Sequence, residues 1–152
     1  MTRAERDAIV NALDEVGFWL ERDRTDSYRV KAYRAAARAV ESLSELEFEQ
    51  LVYANAWRDV AGLGPSTVAV ITQTLENKVP SKLAKLRSAG QQPLAEGGEL
   101  IGQLQGDLHS HTEWSDGAES IRLMGRTATL LGRSYLAITD HSPRLRVANG
   151  LS

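Results

Sequence analysis

The sequence predicts a mainly α-helical amino-terminal domain followed by the opening strand, helix and strand of a parallel β/α unit. Three observations predict it. Apolar residues recur at helical spacing through roughly the first ninety residues. A glycine-rich stretch, "SAGQQPLAEGGELIGQLQG", then breaks that rhythm with Gly90, Gly97, Gly98, Gly102 and Gly106. Beyond it, short apolar runs flank one further helical stretch. The expected limits are residues 1–88 for the helical domain, 89–105 for a linker and 106–152 for the incomplete β/α unit. The composition is that of an ordinary globular chain: 152 residues, 42% hydrophobic, formal net charge −2. Cysteine is absent, which excludes disulfides and thiolate metal ligands and suits a reducing compartment. The start "MTRAERDAIV" lacks the apolar core of a secretory signal. No run approaches the roughly 18 apolar residues of a membrane span. A cytoplasmic protein is expected.

The first helix is read from Ile9, Leu13, Val16 and Leu20, a single stripe within residues 3–22. After "RTDSY", Val30, Tyr33, Ala37 and Val40 mark a second helix over 28–43. Ser42 or Ser44 is placed to close it and to cap the next. A third helix is expected over 45–57 with Leu46, Leu51 and Val52 inward. In "VAGLGPSTVAVITQTL", Gly62 and Gly64 flank Leu63, Pro65 suits a first helical turn, and Val68, Ile71 and Leu75 form the next stripe. A short helix over 80–88 ends the domain. The β/α unit reads as a strand in "GDLHSH", a helix over 118–131 with Ile121, Met124, Ala128 and Leu131 inward, and a strand in "YLAIT". That continuous apolar run suits a strand covered on both faces.

All three histidines fall at the ends of those strands. His109 and His111 are two apart, so on a strand they share one side. Asp116 follows on the turn, and His141 stands just past the second strand. Neighbouring parallel strands open onto one edge, so these residues are expected to meet around divalent ions. Asp107 and Asp140 are expected one layer out, each accepting the second N–H of a histidine ring. Trp114, inside the same loop, is expected to line the pocket.

"GDLHSHTEWSDG" followed by "YLAITDHSPRLRVANGLS" resembles the first two motifs of the PHP (polymerase and histidinol phosphatase) superfamily, in the form attached to bacterial family X DNA polymerases. The resemblance implies a distorted β/α barrel holding two or three manganese, zinc or iron ions and hydrolysing phosphoesters. It implies His109, His111, Asp116 and His141 as metal ligands. The barrel's later ligands are missing from the chain, so a truncated barrel is expected. The chain is expected to be a fragment that by itself has no phosphoesterase activity.

The helical domain carries its charge unevenly. Arg29, Lys31, Arg34 and Arg38 form one acid-free cluster, and Lys78, Lys82, Lys85 and Arg87 form another. Between them lie Glu41, Glu45, Glu47, Glu49 and Asp59. Two basic patches beside a glycine-flanked turn point to a helix-hairpin-helix that holds nucleic-acid backbone. "SYRVKAYRAAARAVESL" with "VAGLGPSTVAVITQTLENKVPSKLAKL" is similar to the amino-terminal 8 kDa domain of polymerase beta-like enzymes. The resemblance implies that Arg29 and Tyr33 help hold a DNA 5′-phosphate, with Ser66 standing where those enzymes have a lysine. Lys31, Arg34, Gly62 and Gly64 complete the expected DNA-binding set. The nucleophilic lysine of that family's lyase falls on Val70, so no deoxyribose-phosphate lyase activity is expected.

About eighteen residues separate the two resemblances, which leaves no room for a polymerase core. The expected parent is a metal-dependent phosphoesterase or nuclease acting on DNA, gapped or 5′-phosphorylated, in repair. The alternatives are a small-molecule phosphatase of the histidinol-phosphate type and a non-catalytic DNA-binding module.

Overall fold

The computed structural model describes residues 3–24, 26–90, 98–144 and 150–151. It divides into two compact units, Met1–Gln92 and Pro93–Ser152. Residues 91–97 of the expected linker and 145–149 of the second PHP-like motif lie outside the described residues.

The first unit holds α1 (Arg3–Arg22), α2 (Ser27–Ser42), α3 (Glu45–Ala54), a single 3₁₀ turn at Trp57–Asp59, α4 (Pro65–Leu75) and α5 (Ser81–Ala89). The expected stripes of α1 and α2 are all buried: Ile9, Leu13, Val16 and Leu20 meet Val30, Tyr33, Ala37 and Val40. Burial of each large apolar side chain contributes about 1.5–3 kcal/mol. Asp26 caps α2 by accepting the Tyr28 N–H at 3.0 Å. Ser44 caps α3 in a reciprocal box with Glu47, and two hydrogen bonds from Ser44 hold the Glu47 carboxyl below its ordinary value.

The third helix is shorter than expected; Leu51 and Val52 pack against the core as expected, but Leu46 does not. It stops at Asn55, which takes a left-handed conformation (φ 50°) and closes the last turn. Phe48 is the buried residue, whereas Leu46 is 65% exposed. Two residues past Asn55, the chain drops Trp57 into the core, fully buried and edge-on to the Phe48 ring. In α4 the innermost positions are Thr67, Val70 and Ile71, with Val68 and Leu75 packing at the margin. Glu15 ties α1 to α5: both its oxygens accept from Arg87, at 2.6 and 2.8 Å, and one also accepts from Trp19 at 3.1 Å.

The second unit holds α6 (Gly98–Gln103), β1 (Gly106–Ser110), α7 (Ile121–Leu130) and β2 (Tyr135–Ile138). The stretch read as linker therefore contains a short helix. The strands pair in parallel, Gly106 against Tyr135 and Ser110 against Ile138, with an irregularity between. Thr139 N–H extends the ladder by donating to Ser110 O at 2.8 Å. Two expectations fail here for one reason. "YLAI" is not buried on both faces, and Ile121 and Leu131 of the α7 region are exposed. The sheet has two strands among the described residues, so it lacks the layers that would cover them. Leu123 is the one apolar residue of this unit that is buried among the described residues; the others are Ser110, Thr112 and Ser115.

No helix among the described residues is long and apolar enough to cross a membrane.

Burial would raise the Glu15 carboxyl, but the Arg87 and Trp19 hydrogen bonds outweigh it and hold it below its ordinary value. A depressed carboxyl stabilises the fold above its unfolded value and loses that contribution as pH falls through the folded value. Glu15→Gln is expected to cost about 1 kcal/mol at pH 7. Urea unfolding of wild type and variant should show the gap closing below about pH 4.

Candidate metal centre and phosphate cradle

The second unit brings all three histidines and Asp116 together. His109 Nε2 lies 3.0 Å from His111 Nε2, and the two rings stack with centroids 4.9 Å apart. The His141 ring meets His111 edge-on at 4.4 Å. Asp116 sits between them: Oδ1 is 2.6 Å from His111 Nδ1, and Oδ2 is 3.3 Å from His141 Nε2. His111, Asp116 and His141 each offer a ligand atom within 4.8 Å of the others, and His109 adjoins that trio through His111. The His111 hydrogen bond, with the nearby charge of both imidazoles, holds the Asp116 carboxyl below its ordinary value.

Asp116 joins the histidine rings as expected, whereas Asp107 and Asp140 are bonded elsewhere. Asp116, as placed, orients an imidazole by receiving His111 Nδ1. Neither Asp107 nor Asp140 contacts a histidine ring among the described residues. Asp107 instead accepts the backbone N–H of His109 at 3.0 Å, a local turn-type bond. Asp140 accepts from Thr112 N at 2.7 Å, Thr112 Oγ1 at 2.7 Å and Ser115 Oγ at 2.5 Å. The Ser115 and then the Thr112 bonds hold the Asp140 carboxyl down. Sequence reasoning missed this because a short polar residue gives no sign of which oxygen it will meet. The "HT" and "SD" steps, which put Thr112 and Ser115 directly beside two expected ligands, were the available signal. Trp114 stands 63% exposed.

Gly117 closes the loop. Its N–H donates to Thr112 O at 2.9 Å, and a Cβ there would sit 2.3 Å from His111 O.

In the first unit the hairpin runs from the 3₁₀ turn through Gly62, whose φ of 85° strains other residues, to Leu63, which plugs into the core. Thr67 braces the turn, its hydroxyl accepting from Gly64 N and donating to Gly64 O, both at 2.9 Å. Gly64 is the N-cap of α4, and Ser66 is exposed in its first turn. The Tyr33 hydroxyl lies beside Ser66 and Arg29. That hydroxyl is buried, and no well-formed hydrogen bond reaches it among the described residues. Burial pushes the phenol up. The Lys82 ammonium stands 5.8 Å from the Tyr33 ring centre, a neighbour that charge counting alone did not single out.

The expected DNA-binding set divides. Arg29 and Lys31 are exposed with no acidic partner among the described residues. Arg34 is committed to Glu21 at 2.5 Å, and its stem lies against Gly17. The second basic cluster divides similarly: Lys78 pairs with Glu76 and Arg87 with Glu15, while Lys82 and Lys85 have no acidic partner among the described residues. Val70, at the place of the lyase lysine, is 1% exposed within the core.

The family described as "Helix-hairpin-helix domain" matches residues 4–80. The chain belongs to the helix-hairpin-helix domain family. An alignment over 72 residues, covering 45% of the chain, shows 50% identity to part of "DNA polymerase/3'-5' exonuclease PolX" from Bacillus subtilis (strain 168). The matched stretch spans 13% of that relative's length. No solved structure matches the chain. Within the helix-hairpin-helix domain, the hairpin proper is the turn at Gly62–Gly64 and the start of α4.

Gly117→Ala is expected to displace the loop that carries His111 and Asp116, at a cost of about 1–3 kcal/mol. In a two-dimensional amide spectrum, resonances of residues 110–118 should move while those of α1, α2 and α4 stay in place.

Proposed function

We propose that the helix-hairpin-helix domain grips DNA and that residues 106–152 are the metal-binding edge of a PHP-type phosphoesterase domain acting on DNA in repair. The convergence of His109, His111, Asp116 and His141 at the ends of two parallel strands carries this reading. The likeness to a relative whose printed name joins a DNA polymerase to a 3'-5' exonuclease supports DNA as the substrate. In this reading β1, α7 and β2 are the first elements of a β/α barrel. The exposed Leu108 and Tyr135 are then side chains that further barrel layers cover.

The donor set fits divalent ions. Imidazole nitrogens and a carboxylate oxygen suit zinc, manganese or iron, and Asp116 on His111 Nδ1 directs the lone pair to Nε2. His109, His111, Asp116 and His141 would hold the ions, which supply Lewis acidity toward a phosphoryl oxygen and acidify bound water. The chain's own residues fix the geometry. The strand pairing sets the spacing of His111 from His141, and the loop through Gly117 returns Asp116 to both.

In the helix-hairpin-helix domain a terminal 5′-phosphate would be received at the start of α4. Free backbone N–H groups and the positive end of the helix dipole face it there. Arg29 and Lys82 would supply charge, while Ser66 and the adjacent Tyr33 hydroxyl would supply hydrogen bonds. Gly64, with no atom within 4 Å of where its Cβ would stand, leaves room for backbone approach. Lys31 lies on the same helix as Arg29 and would meet neighbouring phosphates. Arg34 acts through α1 instead, and its replacement would unsettle the fold before it weakens binding.

Titration with 5′-phosphorylated gapped DNA is expected to show log K falling linearly with log salt. Salt-insensitive binding, or none, would favour the small-molecule phosphatase. Tyr33→Phe removes a buried hydroxyl that has no well-formed hydrogen bond, so the free domain should lose little stability. Preference for 5′-phosphate over 5′-hydroxyl ends should fall about fivefold, close to one neutral hydrogen bond. Borohydride trapping with a 5′-abasic substrate should give no covalent adduct, since Val70 offers no amine. An adduct mapping to Lys82 would reverse that conclusion.

A further inference from the structure

We propose that Asp140 is a positioning residue whose carboxylate clasps the loop after β1 to the end of β2 and thereby fixes where His111, Asp116 and His141 meet. The purpose of the clasp rests on the metal-centre reading above; its geometry does not. Asp140 directly precedes His141. Its partners, Thr112 and Ser115, directly follow His111 and directly precede Asp116. One carboxylate thus holds the neighbours of both loop residues while its own neighbour is the third member of the cluster.

The bonds are short and sheltered. Oδ1 accepts from Thr112 N at 2.7 Å and Ser115 Oγ at 2.5 Å, and Oδ2 accepts from Thr112 Oγ1 at 2.7 Å. Thr112 is fully buried and Ser115 is 8% exposed, so water competes poorly for their hydroxyls. The loop then closes around the clasp: Thr112 O accepts from Ser115 N at 3.0 Å and Gly117 N at 2.9 Å. With Ser110, Thr112 and Ser115 as most of the buried residues described in this unit, polar bonds supply the rigidity that apolar packing supplies in the first unit. Both Asp140 oxygens are occupied by these donors, which sets Asp140 apart from the four residues whose ligand atoms face one another.

Two measurements on the 152-residue chain test this. Calorimetric titration with Zn²⁺ should show affinity weakened about 10–100-fold in Asp140→Asn and in Thr112→Val. Thr112→Ser, which keeps the hydroxyl, should stay within about threefold of wild type. Amide exchange in chelator-treated protein should show protection at Thr112 and Gly117 falling at least about tenfold in both disruptive variants. Unchanged protection of α1 and α4 amides would show that the first unit remains folded. Loss of zinc affinity in Asp140→Asn with full affinity in Thr112→Val would make Asp140 a direct ligand and overturn the clasp. Unchanged exchange at Thr112 and Gly117 in both variants would overturn it as well. Should wild type bind no zinc, manganese or iron, the metal-centre reading falls, and the exchange measurement alone decides the clasp.

Discussion

Because β1 and β2 run parallel, their carboxyl ends emerge at the same edge, and every feature of the histidine cluster follows from that direction. Pairing of Ser110 with Ile138 and the further bond from Thr139 to Ser110 bring the two chain exits alongside each other. An antiparallel pair would have sent His111 and His141 to opposite ends. The connection through α7 makes the parallel arrangement possible, since a parallel pair needs a crossover. What remains is a local problem: ten residues must turn back so that Asp116 reaches both rings. Gly117 and the Asp140 carboxylate solve it, the first by leaving space and the second by supplying acceptors.

The helix-hairpin-helix domain solves a different problem by different means. Its rigidity comes from apolar stripes on α1, α2 and α4, so its polar groups are available for other uses. Arg34, Arg87 and Lys78 are paired with Glu21, Glu15 and Glu76. Two of the cations without acidic partners among the described residues gather at Tyr33: Lys82 stands over its ring and Arg29 lies near its hydroxyl. A buried hydroxyl without a well-formed partner costs stability in the free chain. Its retention beside Ser66, at a helix start, is what a phosphate oxygen would offset.

The long helices were legible in the sequence because their apolar stripes repeat over several turns. The spacing of Ile9, Leu13, Val16 and Leu20 leaves little choice of inward face. In α3 the question was whether Leu46 joined the inward stripe of Phe48, Leu51 and Val52. The fixed place of Trp57 decided it, since that indole packs edge-on to Phe48 and leaves Leu46 outside. The burial of "YLAI" was misjudged because a continuous apolar run reports what a strand is suited to, not how many neighbours it has. The convergence of the histidines could be anticipated from strand alternation and strand ends. The partners of the aspartates could not, because a carboxylate two atoms from the backbone serves a ring, a hydroxyl or an amide equally well, and local turn geometry selects among them.

Asp116 and Asp140 illustrate that selection. Both carboxyls are held below their ordinary value, yet the leading cause is an imidazole for one and hydroxyl and amide donors for the other. Asp116 responds to whatever charge gathers among the histidines. Asp140 faces neutral donors whose positions are set by the backbone, with the His111 imidazole only a minor influence. In the proposed metal centre the two carboxylates would have different tasks. One must be able to change partners as ligands shift, and the other must hold the loop in place while they do. Two oxygens bonded to Thr112 and Ser115 suit the second task, and a carboxylate poised between two rings suits the first.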